Sequence, residues 1–185
     1  TGGIGSGKSV VSRLLRIMGY SVYDTDSEAK RLMESSLEVV QKLSECFGRD
    51  IYHNGRLNRG LLSSRVFGES DKIVLLNSIV HPVVRFDFYR WSESLNEEIC
   101  FVESAILYES RFDELVDEVW TVTAPEELRI SRVRQRSGLT EEEIKKRMAA
   151  QLSEEEKQRR AAHIIWNDGN VSVIHRVLSL LKSLE

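Results

Sequence analysis

The chain has 185 residues, of which 41% are hydrophobic and 30% are charged, and its formal net charge is -3. This composition is typical of a globular protein whose length allows one buried α/β core with a modest insertion. No apolar run is long enough to cross a membrane, and the small negative charge argues against a general attraction to nucleic acid.

The first ten residues, TGGIGSGKSV, contain the pattern G-x-x-x-x-G-K-S from Gly2 to Ser9. Glycine N–H groups can surround a polyphosphate, and the amphipathic segment that follows predicts a helix whose positive N-terminal end faces the phosphates. In this motif Lys8 supplies charge to the β- and γ-phosphates, and the Ser9 hydroxyl is a ligand of Mg²⁺. The predicted nucleotide-contacting residues are Gly3, Gly5, Ser6, Gly7, Lys8, Ser9 and Val10.

A loop of this kind ordinarily follows a buried strand, and the sequence before Thr1 is the place for it. We therefore expect the natural chain to carry about five to eight further residues, mostly apolar, ahead of Thr1. The intact mass of the natural protein would test this expectation.

Two acids follow the first helix. Residues 20–23 predict a short strand that leads into Asp24 and Asp26. Carboxylates at the carboxyl end of a parallel strand lie in the crevice where α/β sheets bind ligands. The alternative is that one of them caps the next helix, for which TDSE predicts a capping box between Thr25 and Glu28. Two acids close to a phosphate loop favour the site.

Residues 36–91 are predicted to be helical, without a convincing buried strand. One apolar face ends at Gly48, and a second helical stretch is interrupted by His81 and Pro82. This segment indicates an inserted helical lobe. Its arginines either form a solvated surface or bind an anionic substrate. They are Arg56, Arg59, Arg65 and Arg85.

Two apolar runs predict the central strands of a parallel sheet, at residues 99–103 and 119–123. The first ends at Glu103, in the position of a carboxylate that assists Mg²⁺, although Asp is more usual there. Glu109 has two interpretations, a site residue or a surface residue. Pro125 is predicted at the first position of the helix that follows the second strand.

A basic helical hairpin is predicted next, with Arg129, Arg132 and Arg136 along one helix face. Capping boxes are predicted at Thr140 with Glu143 and at Ser153 with Glu156. The hairpin is either a solvated surface with ion pairs or a lid whose arginines close over phosphates. A last strand at 163–166 and a closing helix with Ile174, Val177, Leu178 and Leu181 complete the chain.

Six segments occur in the order TGGIGSGKS, DTD, IVHPVVR, ESAILYE, RVRQRSGLTEEEIKKRMAAQ and IIWNDG. In these segments the chain resembles the dephospho-CoA kinases, P-loop kinases akin to the nucleoside monophosphate kinases. It departs from the family where Glu103 and Ala105 replace the usual Asp and Pro, and where Val10 replaces the common Thr.

The resemblance implies an α/β fold with a three-layer αβα core, a parallel sheet, an inserted helical substrate lobe and a helical lid. The core is predicted at residues 1–35, 96–136 and 161–185, the lobe at 36–95 and the lid at 137–160. The implied reaction transfers the γ-phosphoryl group of ATP, with Mg²⁺, to the ribose 3′-hydroxyl of dephospho-CoA.

The resemblance also assigns roles to residues. Asp26 is expected to orient the hydroxyl and accept its proton, and Asn167 is expected near the adenine. The implied catalytic residues are Lys8, Asp26, Arg132 and Arg136, with Arg147 as a further lid cation, and the implied metal ligands are Ser9 and Glu103. The implied acceptor-binding residues are Asp24, Asp26, Arg59, His81, Pro82 and Arg85.

Alternative functions remain open from the sequence. A shikimate or nucleoside monophosphate kinase would share the architecture, and a nucleotide-dependent switch ATPase would share the loop. A GTP switch is disfavoured because the sequence lacks an N-K-x-D guanine motif. Cys46 and Cys100 lie among apolar residues and predict reduced thiols in the core of a cytoplasmic protein. We expect a monomer or small homo-oligomer that binds neither nucleic acid nor membrane.

Overall fold

The computed structural model describes residues 1–66 and 68–184. Its contacts divide the chain into two compact units, Thr1–Val22 with Glu98–Glu185, and Tyr23–Glu97. We refer to these as the first and second unit. The boundaries that the sequence predicts for core, lobe and lid stay a prediction.

The described part of the chain alternates short strands with helices. The helices are α1 (Lys8–Ile17), α2 (Thr25–Ser35), α3 (Leu37–Phe47), α4 (Arg59–Val66), α5 (Ser70–Glu93), α6 (Glu126–Ser137), α7 (Glu141–Ala149), α8 (Glu154–Arg160) and α9 (Val173–Leu181). The strands are β1 (Val22–Asp24), β2 (Tyr52–His53), β3 (Arg56–Leu57), β4 (Phe101–Glu103), β5 (Trp120–Thr123) and β6 (His163–Trp166). Within these described elements, no helix is long and apolar enough to cross a membrane.

A parallel sheet lies at the centre of the first unit. Strands β5 and β6 pair in parallel from Trp120 with His163 to Thr123 with Trp166. Thr1 extends this ladder, because its amine donates to Trp120 O at 2.8 Å and its carbonyl accepts from Val122 N at 2.9 Å. The Thr1 hydroxyl donates to Ser104 O, just after β4, at 2.8 Å. The phosphate loop therefore leaves the sheet between β4 and β5, in the predicted α/β class.

Helices α1 and α9 cover this sheet with an apolar core. Its buried members are Val11, Leu15, Val122, Ile165, Val177, Leu180 and Leu181. The predicted apolar face of α9 was partly wrong, since Ile174 is 54% exposed while Leu180 is buried. The helix is rotated so that Val177, Leu180 and Leu181, at i, i+3 and i+4, face the sheet.

The second unit is mainly helical, and α2, α3 and α4 each pack against α5. The predicted interruption at His81 and Pro82 was wrong, because α5 is one continuous helix of 24 residues that contains both. Proline in a helix interior costs about 3 kcal/mol, since it lacks an N–H and crowds the preceding turn. Burial on both sides of Pro82 offsets that cost; the buried residues are Ile79, Val80, Val84 and Phe88.

A β-hairpin interrupts the segment that was predicted to be helical throughout. Strands β2 and β3 pair antiparallel, Tyr52 with Leu57 and His53 with Arg56. Asn54 and Gly55 between them have φ angles of 49° and 75°. An Asn-Gly pair in this conformation is a strong hairpin signal, and it was present in the sequence.

Both cysteines are free thiols, as predicted. The prediction that both lie in the core was wrong for Cys46, which is exposed on α3. The buried face of α3 instead consists of Val39, Leu43 and Phe47, and Cys46 lies off that face.

Candidate functional site

The phosphate loop ends at the N-terminus of α1, where Gly7 is the N-cap with a φ of 99°. A β-carbon on Gly7 would lie 2.0 Å from Nδ2 of Asn167. Both the left-handed backbone and this close approach therefore require glycine. The positive end of the α1 dipole faces the same point, which favours an anion there.

Side chains of the first unit hold the carbonyl groups of the loop. Arg129 Nε donates to Ile4 O at 3.1 Å, and Asn167 Nδ2 donates to Ser6 O at 2.8 Å. Lys8 Nζ lies 3.4 Å from Gly3 O. In a trans peptide the C=O and the following N–H point in opposite directions. The N–H groups of Gly5 and Gly7 are therefore directed away from Arg129 and Asn167, as an anion-binding loop requires.

Two further side chains hold N–H groups at the start of the loop. Gly3 N donates to Glu154 Oε1 at 3.0 Å, and Ile4 N donates to Gln151 Oε1 at 2.9 Å. Glu154 also accepts from the Thr123 hydroxyl at 2.9 Å through Oε2. Gln151 and Glu154 were not predicted as site residues, because the acidic and basic residues around them are also typical of a solvated helix.

The three arginines predicted along one face of α6 have different surroundings. Arg129 is only 5% exposed and lies against the loop. Arg132 Nη2 donates to Asn167 O at 2.8 Å, and its Nη1 lies 3.5 Å from Ser6 O. Arg136 is exposed in the last turn of the helix. Arg129 therefore contacts the loop, and Arg132 contacts both the loop and Asn167. Arg136 is exposed and can reach a ligand in solution.

The caps of the basic hairpin are largely as predicted. Thr140 and Glu143 form a reciprocal capping box on α7. Ser153 caps α8 by accepting from Glu156 N, but the Glu156 carboxylate pairs with Arg159 at 2.7 Å. Lys145 and Lys146 pair with acids one turn earlier. For these two lysines the surface interpretation is confirmed.

Helix α8 is attached to the sheet through a lysine that is 0% exposed. Lys157 Nζ donates to Ala105 O at 3.2 Å and lies 3.8 Å from Glu109 Oε1. Burial lowers the pKa of this lysine. Glu109 also accepts from Leu152 N at 2.6 Å. Glu109 therefore joins the segment after β4 to the start of α8.

The predicted metal ligands belong to different elements of the first unit. Ser9 lies in the first turn of α1, and Glu103 is the last residue of β4. No cluster of three or more His, Cys, Asp or Glu suited to a metal occurs within residues 1–66 and 68–184. This donor set fits Mg²⁺ in nucleotide sites, where one or two protein oxygens act together with substrate phosphates and water.

In the second unit, Asp24 is the N-cap of α2. Its Oδ1 accepts from Asp26 N at 3.1 Å and from Ser27 N at 3.3 Å. The predicted Thr25–Glu28 capping box was wrong, because Thr25 is already the first helical residue and Asp24 occupies the N-cap position. Asp26 is exposed in the first turn of the helix.

The remaining predicted acceptor-binding residues lie on α4 and α5. Arg59 pairs with Glu34 at 3.2 Å, while His81, Pro82 and Arg85 lie in the middle of α5. Burial lowers the pKa of His81, so its imidazole is neutral at pH 7. Arg65, an open candidate from the sequence, pairs with Asp50 beside the hairpin.

A network of polar contacts around the buried Tyr23, which was not predicted, joins α2 to α5 in this unit. The Tyr23 hydroxyl donates to Asp87 Oδ2 at 2.7 Å, and Arg31 Nη2 pairs with the same oxygen at 2.7 Å. Tyr23 also packs edge-on against Phe88. This network holds the helix that carries Asp26 against α5.

The parallel sheet, the glycine loop at the start of α1 and the lysine within it define a P-loop nucleotide-binding α/β protein. The family model described as dephospho-CoA kinase matches residues 1–172. The chain belongs to the dephospho-CoA kinase family, which catalyses the final step of coenzyme A biosynthesis, and it is an ATP-dependent phosphotransferase.

Similar proteins support this assignment over the other kinase and switch classes. Dephospho-CoA kinases of Porphyromonas gingivalis and Bacteroides fragilis are each 40% identical over 185 residues, covering 100% of this chain and 92% and 90% of theirs. A crystal structure of a Thermus thermophilus protein matches with a TM-score of 0.86 and 36% identity, covering 99% of this chain and 94% of that one. A dephospho-CoA kinase from Campylobacter jejuni shares the fold, with a TM-score of 0.73 and 23% identity.

Proposed function

We propose that the chain transfers the γ-phosphoryl group of Mg·ATP to the ribose 3′-hydroxyl of dephospho-CoA. Family membership supports the reaction. The observation that carries the nucleotide site is the set of side chains that hold Ile4 O and Ser6 O outward. This arrangement directs the N–H groups of Gly5 and Gly7 away from Arg129 and Asn167, and we infer that a polyphosphate binds on that side of the loop, at the start of α1.

We propose that the phosphate site is formed by the predicted loop residues, with Lys8 on the β- and γ-phosphates. These residues are Gly3, Gly5, Ser6, Gly7, Lys8, Ser9 and Val10. Arg132 and Arg136 would add charge near the transferring group, and Asn167 would bound the nucleotide site beside Gly7. Ser9 and Glu103 would hold Mg²⁺, which when bound offsets phosphate charge. Because charge develops on the transferring group and the leaving oxygen, cations fixed in advance lower the barrier more than mobile ones.

We propose that Asp26 is the base for the acceptor. The hydroxyl proton passes to its carboxylate while the hydroxyl oxygen forms a bond to the γ-phosphorus. The bond between that phosphorus and the β–γ bridging oxygen breaks, and ADP leaves. Asp24, Arg59, His81, Pro82 and Arg85 would bind the acceptor. His81, being neutral, would act as a hydrogen-bonding group there.

An acceptor comparison tests this proposal. The protein is incubated with Mg·ATP and dephospho-CoA, shikimate or AMP, and ADP release is followed with each. We expect turnover with dephospho-CoA, and a product whose mass rises by one phosphoryl group at the ribose 3′ position by NMR. Turnover confined to shikimate or AMP, or a phosphate at the 2′ position, would refute the assignment.

A further inference from the structure

Glu154, the first residue of α8, connects four parts of the first unit. Its Oε1 accepts from Gly3 N at 3.0 Å and pairs with Arg129 Nη1 at 3.2 Å. Its Oε2 accepts from Thr123 Oγ1 at 2.9 Å. The side chains of Arg129 and Glu154 are 6% and 15% exposed, so this ion pair is largely shielded from water.

The arrangement closes a ring around the start of the phosphate loop. Glu154 holds Gly3 N, Arg129 pairs with Glu154, and Arg129 Nε returns to Ile4 O at 3.1 Å. Glu154 restrains the peptide between Gly2 and Gly3, and Arg129 restrains the peptide between Ile4 and Gly5, which carries the Gly5 N–H group. Charge-assisted hydrogen bonds in a shielded position are stronger and more directional than neutral ones in water. The ring therefore restrains the loop before nucleotide arrives.

The fit around Gly3 is tight. A β-carbon at this position would lie 2.2 Å from Glu154 Oε1 and 2.5 Å from Arg129 Nη2. Any side chain at residue 3 would therefore displace the carboxylate or the guanidinium. The absence of a side chain at Gly3 is what allows Glu154 to reach the backbone.

We propose that Glu154 is a positioning residue for nucleotide binding, which holds the phosphate loop in its binding shape through Gly3 and Arg129. This inference rests on the proposed function only in taking the loop as the nucleotide site. It runs against simple charge reasoning, since a carboxylate beside a triphosphate site repels the ligand. Removing that charge would tighten ATP binding if electrostatics alone decided.

The test measures the dissociation constant of ATP by calorimetry for the wild type, Glu154→Ala and Glu154→Gln. The matched control is Glu155→Ala, which removes the same charge from the next, exposed position of α8. We expect Glu154→Ala to weaken ATP binding by about 10-fold or more, because it removes charge-assisted hydrogen bonds. Glu154→Gln keeps the shape of the side chain and one acceptor oxygen, so we expect its ATP dissociation constant to lie between those of the wild type and Glu154→Ala. The control should stay within about twofold.

Steady-state kinetics separate positioning from general damage to the fold. We expect the KM for ATP to rise in Glu154→Ala while the KM for dephospho-CoA stays within about twofold. Gly3→Ala should weaken ATP binding similarly, and the double variant should be little worse than either, because both break the same contact. If Glu154→Ala does not fold, Glu154→Gln and Gly3→Ala decide by the same criteria.

Unchanged or tighter ATP binding in the folded variants would overturn the proposal, and so would equal rises in both KM values. The acceptor comparison and the ATP-binding measurements test different claims, so one can fail while the other succeeds. Wild-type protein that binds ATP but does not phosphorylate dephospho-CoA contradicts the proposed function, while the ATP dissociation constants still decide the role of Glu154.

Discussion

At the scale of single residues, the two acids of DTD have different structural positions. The Asp24 carboxylate caps α2, whereas Asp26 is exposed in the first turn of the same helix. The helix-capping interpretation therefore applies to Asp24, and Asp26 does not act as the cap. The cap is confirmed for Asp24, and the catalytic role of Asp26 stays a proposal.

We expect Asp26→Asn to lower kcat by about 10²–10⁴-fold, because the amide cannot accept the hydroxyl proton. The ATP dissociation constant should change little, and the thermal midpoint should fall only slightly, since a first-turn acid contributes about 0.3–1 kcal/mol to a helix. Single-turnover kinetics together with calorimetry would measure these effects. A normal kcat in the folded variant would contradict the catalytic role. Asp26 would then only stabilise the N-terminal end of its helix.

His81 gives a prediction about pH. Its folded pKa lies below the ordinary value of 6.5 because burial disfavours the cation. As pH falls through 6.5, the unfolded chain takes up the proton first, so the free energy of unfolding decreases toward acid. His81→Gln should reduce this loss. Urea unfolding of both proteins at pH 7.5 and 5.5 would measure it, and equal losses would refute a contribution from His81.

Among single residues, those of the phosphate loop were predicted best, because their motif determines the chemistry of the site. The G-x-x-x-x-G-K-S pattern identified the loop because few residues can present backbone N–H groups to an anion. The side chains that hold the loop from outside, among them Glu154 and Gln151, were not predictable from spacing. They lie about 150 residues away in sequence, and only the fold brings them to Gly3 and Ile4.

At the scale of elements, Pro82 within α5 is the clearest difference between prediction and structure. Local chemistry predicts a break at proline, but the buried face of α5 continues on both sides of it. Tertiary packing decided the outcome. The missed β2–β3 hairpin is the opposite case, because Asn54 and Gly55 carried a local signal that the helical interpretation ignored.

We expect Pro82→Ala to stabilise the protein by about 1–3 kcal/mol, because alanine restores a backbone hydrogen bond in the helix interior. If Pro82 shapes the acceptor site, the KM for dephospho-CoA should rise at the same time. Chemical denaturation would measure the stability. The control Val74→Ala, at a 67% exposed position of α5, should change it by no more than about 0.5 kcal/mol. A destabilised Pro82→Ala would show that the proline itself supports the packing.

The two halves of the predicted lid, residues 137–160, differ in how they are attached. Helix α8 is fixed by Glu154 and the fully buried Lys157, whereas Lys145 and Lys146 of α7 pair within their own helix. We expect amides of residues 151–160 to exchange with deuterium more slowly than those of residues 140–150. Mass-spectrometric exchange would measure this, and equal rates would indicate that both halves move together.

At the scale of the whole molecule, the order of the motifs along the chain identified the family. Each segment beyond the phosphate loop is weak alone, but their sequence order is specific, and the family model covers residues 1–172. The core class followed from apolar runs and helical periodicity. The arrangement of the strands in the described part of the chain did not, because pairing joins residues far apart in sequence, as Thr1 and Trp120 show.

Nucleotide binding should stabilise the whole chain. A ligand present at 100 times its dissociation constant adds about 2.7 kcal/mol to the free energy of unfolding. We expect Mg·ATP to raise the thermal midpoint of the wild type and to have much less effect on Lys8→Ala, which lacks the loop cation. Arg13→Ala, at an exposed position of the same helix, should keep the wild-type shift. A full shift in Lys8→Ala would contradict the assignment of Lys8.

The close approach of Asn167 to Gly7 and of Glu154 to Gly3 has a consequence for protein engineering. The ten-residue motif is not a self-contained module, because side chains on α6, on α8 and after β6 hold its backbone in place. Grafting these ten residues onto another scaffold would transfer the motif sequence without the side chains that hold its backbone conformation. A successful transplant would have to bring Arg129, Glu154 and Asn167 with it.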